Sequence, residues 1–449
     1  MLILIAGLLI LFLISFFFTS GDFLRPSALV SAIMFMASVC AAYLSPIWGF
    51  SLGGETVGLI LGAVSVIVAV DVLVLAMYRP RRNCMPVSIP YIYVNKIVLI
   101  LVILFNVVTI AWHFQYLVNS VGFAGTLSYM VTQYRQSVVY GIMENAMPGL
   151  LSRMIRICKD LAYIYVYIFV NNCLVSKNIK KNLFLLFPVV LYFVDSLLWG
   201  ARGYILYVIF AAIVYVYILY QRRNGWKMKN VMKLIRKIGF FGVAVSIIFV
   251  ALGNFVGRSA TNGIFYRLSL YFGGGIALFD AFLKDGGATS SVPGMATFYN
   301  LFKFIDRRFG INSFNDQYMQ FEFRNGNGLV WGNVYTALRR YYMDYQTMGV
   351  ILLSAGLALF FAIFYSYIRR KRKFGDIDIS VLLYGIMSRS MFLFFFDDRL
   401  YMDFFTPSIV VILVELFLCV FLVTNVDISK RGFKIFRKKK KHTITYRSE

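Results

Sequence analysis

Residues 263–283 read GIFYRLSLYFGGGIALFDAFL. The run has about the length of a membrane crossing, for which ~20 apolar residues suffice. It is interrupted by Arg267 and by three glycines, Gly273–Gly275. Whether it crosses decides the fold. A crossing would move the basic run Arg369–Lys373 and the C-terminal tail to the side opposite the other basic loops, against the positive-inside rule. The segment is therefore read as re-entrant or lying on the membrane surface, which is allowed only where protein or a cavity satisfies its backbone.

Around it the chain is a membrane protein. It has 449 residues, 60% hydrophobic and only 14% charged, with mean hydropathy +0.74; soluble domains carry about 25% charged residues. Apolar runs predict transmembrane helices at Leu2–Phe18, Ser27–Leu44, Thr56–Tyr78, Ile97–Trp112, Leu150–Val175, Leu183–Leu198, Tyr204–Tyr220, Ile238–Val256, Met348–Ile368, Ile379–Phe396 and Phe405–Thr424. The fold class is thus all-α polytopic, with about 11 transmembrane helices forming one transmembrane domain over residues 1–449.

Most of the 45 Lys and Arg residues fall in alternate loops. These are Arg25, the RPRR run with Lys96, Lys177–Lys181, Arg222–Lys237, Arg369–Lys373 and the tail from Lys430. That side is expected to be cytoplasmic, with the N-terminus outside and the C-terminus inside. The net charge of +25 then reads as juxtamembrane charge facing anionic lipid, not as a nucleic-acid surface. Residues 114–149 form an external loop with a surface helix, 257–346 a large external segment, and 425–449 a basic cytoplasmic tail. The first apolar run has no basic n-region, so it is expected to stay as a membrane helix. The five cysteines avoid the external segment, and no disulfide or metal cluster is expected.

Ionisable residues inside apolar runs mark candidate function, because a buried Arg or Lys costs about 2.5–3.5 kcal/mol even on lenient insertion scales. The fifth run places Arg153, Arg156 and Asp160 on one helical face, with Arg156 and Asp160 spaced to pair. Arg156 lies ~12 Å along it at 1.5 Å per residue. Arg389 lies eight residues before Asp397, at the same depth. In LLWGARGYILY, Arg202 sits in a tight turn flanked by Gly200 and Gly203, with Asp195 placed to orient it. Guanidinium groups bind phosphate bidentately and keep their charge in dry sites. Arg156, Arg202, Arg258, Arg267, Arg339, Arg389 and Arg399 therefore make a candidate diphosphate clamp. Candidate bases are Glu144, Asp280, Glu322 and Asp397, with Asp398 and Asp403 beside them. DDRLYMD reads as a mixed-charge capping network, GDID at Gly375–Asp378 as a helix start, and the glycine triplet as a packing device. No metal or cofactor is implied.

Three stretches in order carry a resemblance: GDFLRPSALVSAIMFMASVCAAYL, GARGYILYVIFAAIVYVYILY and VYTALRRYYMDYQTMGVILLSAGLALFFAIFY. Together they resemble the opening helix pair, the Arg-Gly turn with its helix, and the exit from the large external loop of bacterial oligosaccharide repeat-unit polymerases of the Wzy type. The layout is similar to the GT-C-like membrane glycosyltransferase architecture. The resemblance implies an enzyme of the bacterial plasma membrane that needs no nucleotide sugar. It would transfer a growing glycan from undecaprenyl diphosphate to a sugar hydroxyl of a new lipid-linked repeat. The family's external arginines map onto Arg202, and more loosely onto Arg258, Arg267 and Arg339. Implied partners are the lipid-linked oligosaccharide, membrane lipid, and a chain-length regulator and flippase of the same pathway, with no nucleic acid. An odd helix number departs from the family's pattern. Two other readings stay open: a lipid-linked oligosaccharide flippase or transporter, and an O-antigen-ligase-like transferase using the same clamp.

Overall fold

The computed structural model describes residues 1–78, 86–123, 125–139, 147–226, 232–234, 263–310, 321–429 and 432–435, with single residues 236, 239, 242 and 318. The expectations for Glu144 and Arg258, for nearly all of the Ile238–Val256 run and for the tail beyond Ile435 fall outside these residues.

In chain order the helices are α1 (Leu2–Phe18), α2 (Pro26–Trp48), α3 (Gly54–Met77), α4 (Lys96–Val121), α5 (Leu127–Val139), α6 (Gly149–Ser176), α7 (Phe187–Leu198), α8 (Gly203–Asn224), α9 (Ile264–Lys284), α10 (Tyr299–Phe309), α11 (Ala337–Arg370), α12 (Ile379–Met387), α13 (Arg389–Phe392), α14 (Tyr401–Phe404) and α15 (Ser408–Asn425). Two antiparallel hairpins join β1 (Arg324–Gly326) to β2 (Leu329–Gly332) and β3 (Val426–Ser429) to β4 (Gly432–Ile435). Among the described residues seven helices are long and apolar enough to cross a membrane. The described residues are predominantly helical, and the chain is a multi-pass membrane protein in outline. α6, at 28 residues, is as long but carries Arg153, Arg156, Lys159 and Asp160.

Local signals account for the ends. Pro26 occupies the first turn of α2, where its missing N–H costs nothing. Asp378 caps α12 by accepting from Ser380 N at 3.0 Å, so GDID is a helix start. Asp280 of α9 ties down the start of α3, accepting from Gly53 N at 2.7 Å and Thr56 Oγ1 at 2.6 Å. α11 breaks at Tyr345–Gln346, where Gln346 takes φ 53, dividing a short outer piece from the long apolar one. The external segment before α11 contains the β1–β2 hairpin, whose Trp331 stacks on Trp48 at 4.9 Å.

The deciding stretch is one unbroken helix, α9. Neither Arg267 nor the glycines interrupt it. A Cβ on Gly273 would stand 2.3 Å from Ala41 N, and one on Gly275 2.5 Å from the Phe395 carbonyl oxygen. The triplet is therefore a packing device that lets α2 and the 389–399 segment approach its backbone. Tyr266 accepts from Trp48 Nε1 at 3.1 Å and Asp280 reaches Gly53. From Gly273 on Ala41 to Asp280 on Gly53, α9 packs lengthwise along the C-terminal half of α2.

The opposite end corrects the reading of its charges. Arg25 and Arg222 do not face lipid. Both are buried, with Arg25 on Asp71 at 2.5 Å and Arg222 on Asp378 at 2.7 Å. Arg369 pairs with Asp22 at 3.1 Å. Three ion pairs thereby tie α2 to α3, α8 to the start of α12, and the end of α11 to the α1–α2 turn.

Candidate functional site

At the Trp48 end, charge gathers around residues 389–403. The apolar helix α12 continues through α13 to Phe392, short of the expected Phe396, and the chain then turns through the DDR loop into α14. This turn brings Arg389 back onto Asp403, Nη2 to Oδ2, at 2.9 Å. The Arg389 guanidinium is sandwiched by Tyr207 of α8 and Phe404, at 4.9 and 4.8 Å. Arg399 reaches Asp397 at 3.4 Å and Asp403 at 3.8 Å. Tyr204, one turn before Tyr207, lies in the field of Arg399, Asp403 and Arg389. The Nε–H groups of both Arg389 and Arg399 are buried and make no hydrogen bond among the described residues.

Asp397 is also gripped from α11. Arg340 donates to its two oxygens at 2.6 and 3.2 Å, and to the Ala296 and Tyr318 carbonyls at 2.9 Å each. Burial works against the Asp397 charge, but Arg340 and then Arg399 outweigh it and hold the carboxyl below its usual range. Asp398 is different. Its oxygens accept from Tyr341 Oη, Leu400 N and Met402 N, and burial pushes its carboxyl up to about 6. It caps the loop from inside, so the mixed-charge capping network expected of DDRLYMD is what this stretch forms.

The other expected site residues divide. Arg156 meets Glu415 of α15 at 3.4 Å, and Asp160 has Lys159 at 4.0 Å; the expected Arg156–Asp160 pair does not form. Lys159 nevertheless lies in the field of both Arg156 and Arg389, so the two arginines expected at equal depth border one cluster. Arg202, at the start of α8, donates to Tyr271 Oη of α9 at 2.7 Å. Asp195 does not orient it; that carboxylate pairs with His113 at 2.8 Å. Arg267 lies in the first turns of α9. Arg339 stands apart, boxed by Phe282, Phe321 and Tyr335 at 4.4, 4.0 and 3.8 Å, with Glu322 at 2.7 Å. Partial burial acts to raise the Glu322 carboxyl, but Arg339, helped by Tyr335, holds it at about 2. Asp280 is spent on α3 and on Lys284, at 2.7 Å. As bases, Asp280, Glu322 and Asp397 are all committed to other partners.

Sequence reasoning missed Glu415 and Lys159. The signal for Glu415 was plain: it is the one charged residue in the apolar helix α15. It missed Arg340 as well, whose role follows only from the fold. Comparison with protein-family models, with curated proteins and with solved structures returned no match for this chain.

Proposed function

We propose that the chain polymerises lipid-linked oligosaccharide repeat units, passing a growing glycan from polyprenyl diphosphate to a sugar hydroxyl of a new lipid-linked repeat. The observation that supports this reading most is the convergence of Arg389 and Arg399 on Asp403, each guanidinium keeping a buried Nε–H unfilled. Unfilled guanidinium donors in a partly dry setting favour a phosphate ligand. The resemblance of the Arg-Gly turn and of the α11 stretch supplies the substrate class.

In this reading the diphosphate displaces carboxylate from Arg389 and Arg399. Asp403, relieved of its cations, gains basicity and accepts the proton of the acceptor hydroxyl. The acceptor oxygen bonds to the anomeric carbon as the bond from that carbon to the diphosphate oxygen breaks. The departing diphosphate keeps the electron pair, and the arginines offset its charge. The site would lie on the outer face of a bacterial plasma membrane, with the Arg25 end inside. Arg202 and Arg267 would border the glycan.

The test is reconstitution with lipid-linked repeats and no nucleotide sugar. A ladder of polymer is expected from the native chain, and none from Arg389→Ala or Arg399→Ala protein that still inserts and stays monodisperse. Transbilayer movement of the lipid without a ladder would favour a flippase instead. Full-length ladders from both variants would remove these arginines from the site.

A further inference from the structure

The seam between α6 and α15 holds four charged side chains: Arg156, Lys159 and Asp160 on one helix, Glu415 on the other. Arg156 and Glu415 each stand seven residues into their helix, about 10 Å along it. They are neither deeply buried nor fully exposed. Side-chain exposure is 26% for Arg156, 24% for Lys159 and 16% for Glu415. Around Glu415, α15 turns Val411, Val414, Phe417, Leu418 and Leu422 outward, the surface of a lipid-facing helix.

Their contacts with one another are slack. Arg156 Nε stands 3.4 Å from Glu415 Oε2, and Lys159 Nζ 4.0 Å from Asp160 Oδ1. Glu415 Oε2 and Asp160 Oδ2 are buried and make no hydrogen bond among the described residues. The ion pairs at the Arg25 end are tighter, all 2.5–3.1 Å. A charge at this depth without hydrogen bonds is costly unless another group supplies them. Each carboxylate keeps one oxygen without a hydrogen bond, and two cations have surface to spare.

We propose that this seam binds the headgroup of an aminophospholipid. Its primary ammonium donates to Glu415, with Asp160 behind, and its phosphate lies against Arg156 and Lys159. The charge pattern selects the class. A purely anionic headgroup meets two carboxylates. A quaternary ammonium has no N–H to give them. Partly exposed, Glu415 and Lys159 have room to turn toward the occupant. The inference does not depend on the polymerase reading, since its readout is bound lipid.

The experiment is native mass spectrometry of the purified chain, titrated with phosphatidylethanolamine, phosphatidylcholine or phosphatidylglycerol of one acyl composition. Phosphatidylethanolamine should bind about tenfold more tightly than either other lipid. Glu415→Gln should reduce it to the phosphatidylcholine level, and Arg156→Gln should weaken it further. Arg153→Gln, exposed one turn before Arg156, should change nothing. Equal binding of all three lipids means annular contact only and overturns the proposal. So does preference for phosphatidylglycerol, or a phosphatidylethanolamine preference that survives Glu415→Gln. The selectivity of the native chain decides the matter even where a variant fails to fold.

Discussion

Arg340 holds Asp397 through two N–H donors, at 2.6 and 3.2 Å, while its other amino group is taken up by two backbone carbonyls. It joins α11 to the DDR loop and fixes where Arg399 begins. Removing one partner of a buried ion pair costs about 3–5 kcal/mol, because the other is left charged and uncompensated. Asp397→Asn and Arg340→Ala should therefore lower thermal stability sharply, read by fluorescence-detected size exclusion. Arg340→Lys should restore little, since an ammonium cannot present the planar fork. Near-native melting of Arg340→Lys would show that charge alone, without the bidentate geometry, holds the loop.

A second expectation concerns pH and the β1–β2 hairpin. Glu322 links this segment to Arg339 and Tyr335, and its carboxyl is held at about 2 against about 4.3 in an unfolded chain. A depressed carboxylate adds stability that is fully present above the unfolded value and is lost as pH falls through the folded one. Tryptophan emission, reporting the Trp48–Trp331 stack, should hold steady down to about pH 4 and shift to the red toward pH 2. Glu322→Gln should start red-shifted and lack that transition. A transition of equal size in both proteins would assign it to another carboxylate.

Two glycines can be set against one another. Gly273 meets the α2 backbone, whereas the open face of Gly58 in α3 has nothing within 4 Å of an added Cβ. Overpacking at a tight contact costs about 1–3 kcal/mol, so Gly273→Ala should be destabilised by that order and should loosen α9 from α2. Gly58→Ala should be neutral or gain up to about 1 kcal/mol, as alanine is the better helix former. Equal melting temperatures for the two variants would mean that α9 does not pack as tightly as its backbone contacts imply.

Apolar runs could be read as helices because a bilayer demands them, and the described basic residues Arg222, Arg369 and Lys371 sort to the Arg25 end. Arg389 and Arg156 stood out by their depth alone. The partner of each charge was another matter. Arg25 finds Asp71, and Asp22 finds Arg369, pairings set by which helices abut and not by spacing along one of them. The i,i+4 rule matched Arg156 with Asp160, but α15 lays Glu415 alongside and takes the arginine. Asp280 looked like a base from composition, and only the contact between α9 and the start of α3 shows it to be a packing contact. Continuity of α9 through its glycines was illegible for the same reason: those glycines answer to α2 and to Phe395, both remote in sequence.

The buried pair at the far end allows a test of what such charges contribute. Asp71 accepts from Arg25 Nη2 at 2.5 Å and Nε at 3.0 Å, and from Ser27 Oγ at 2.5 Å. Both charged side chains are fully buried. Tight geometry offsets the desolvation of the two charges, so breaking the pair and replacing it should differ in outcome. Asp71→Asn leaves Arg25 charged in a dry setting and should cost about 3–5 kcal/mol. Arg25→Met combined with Asp71→Leu removes both charges at similar volume, and such replacements are often neutral or stabilising by about 1–4 kcal/mol. The double variant should therefore melt well above the single one. A double variant no more stable than Asp71→Asn would mean that the pair sets the register of α2 against α3 in a way that apolar packing cannot supply.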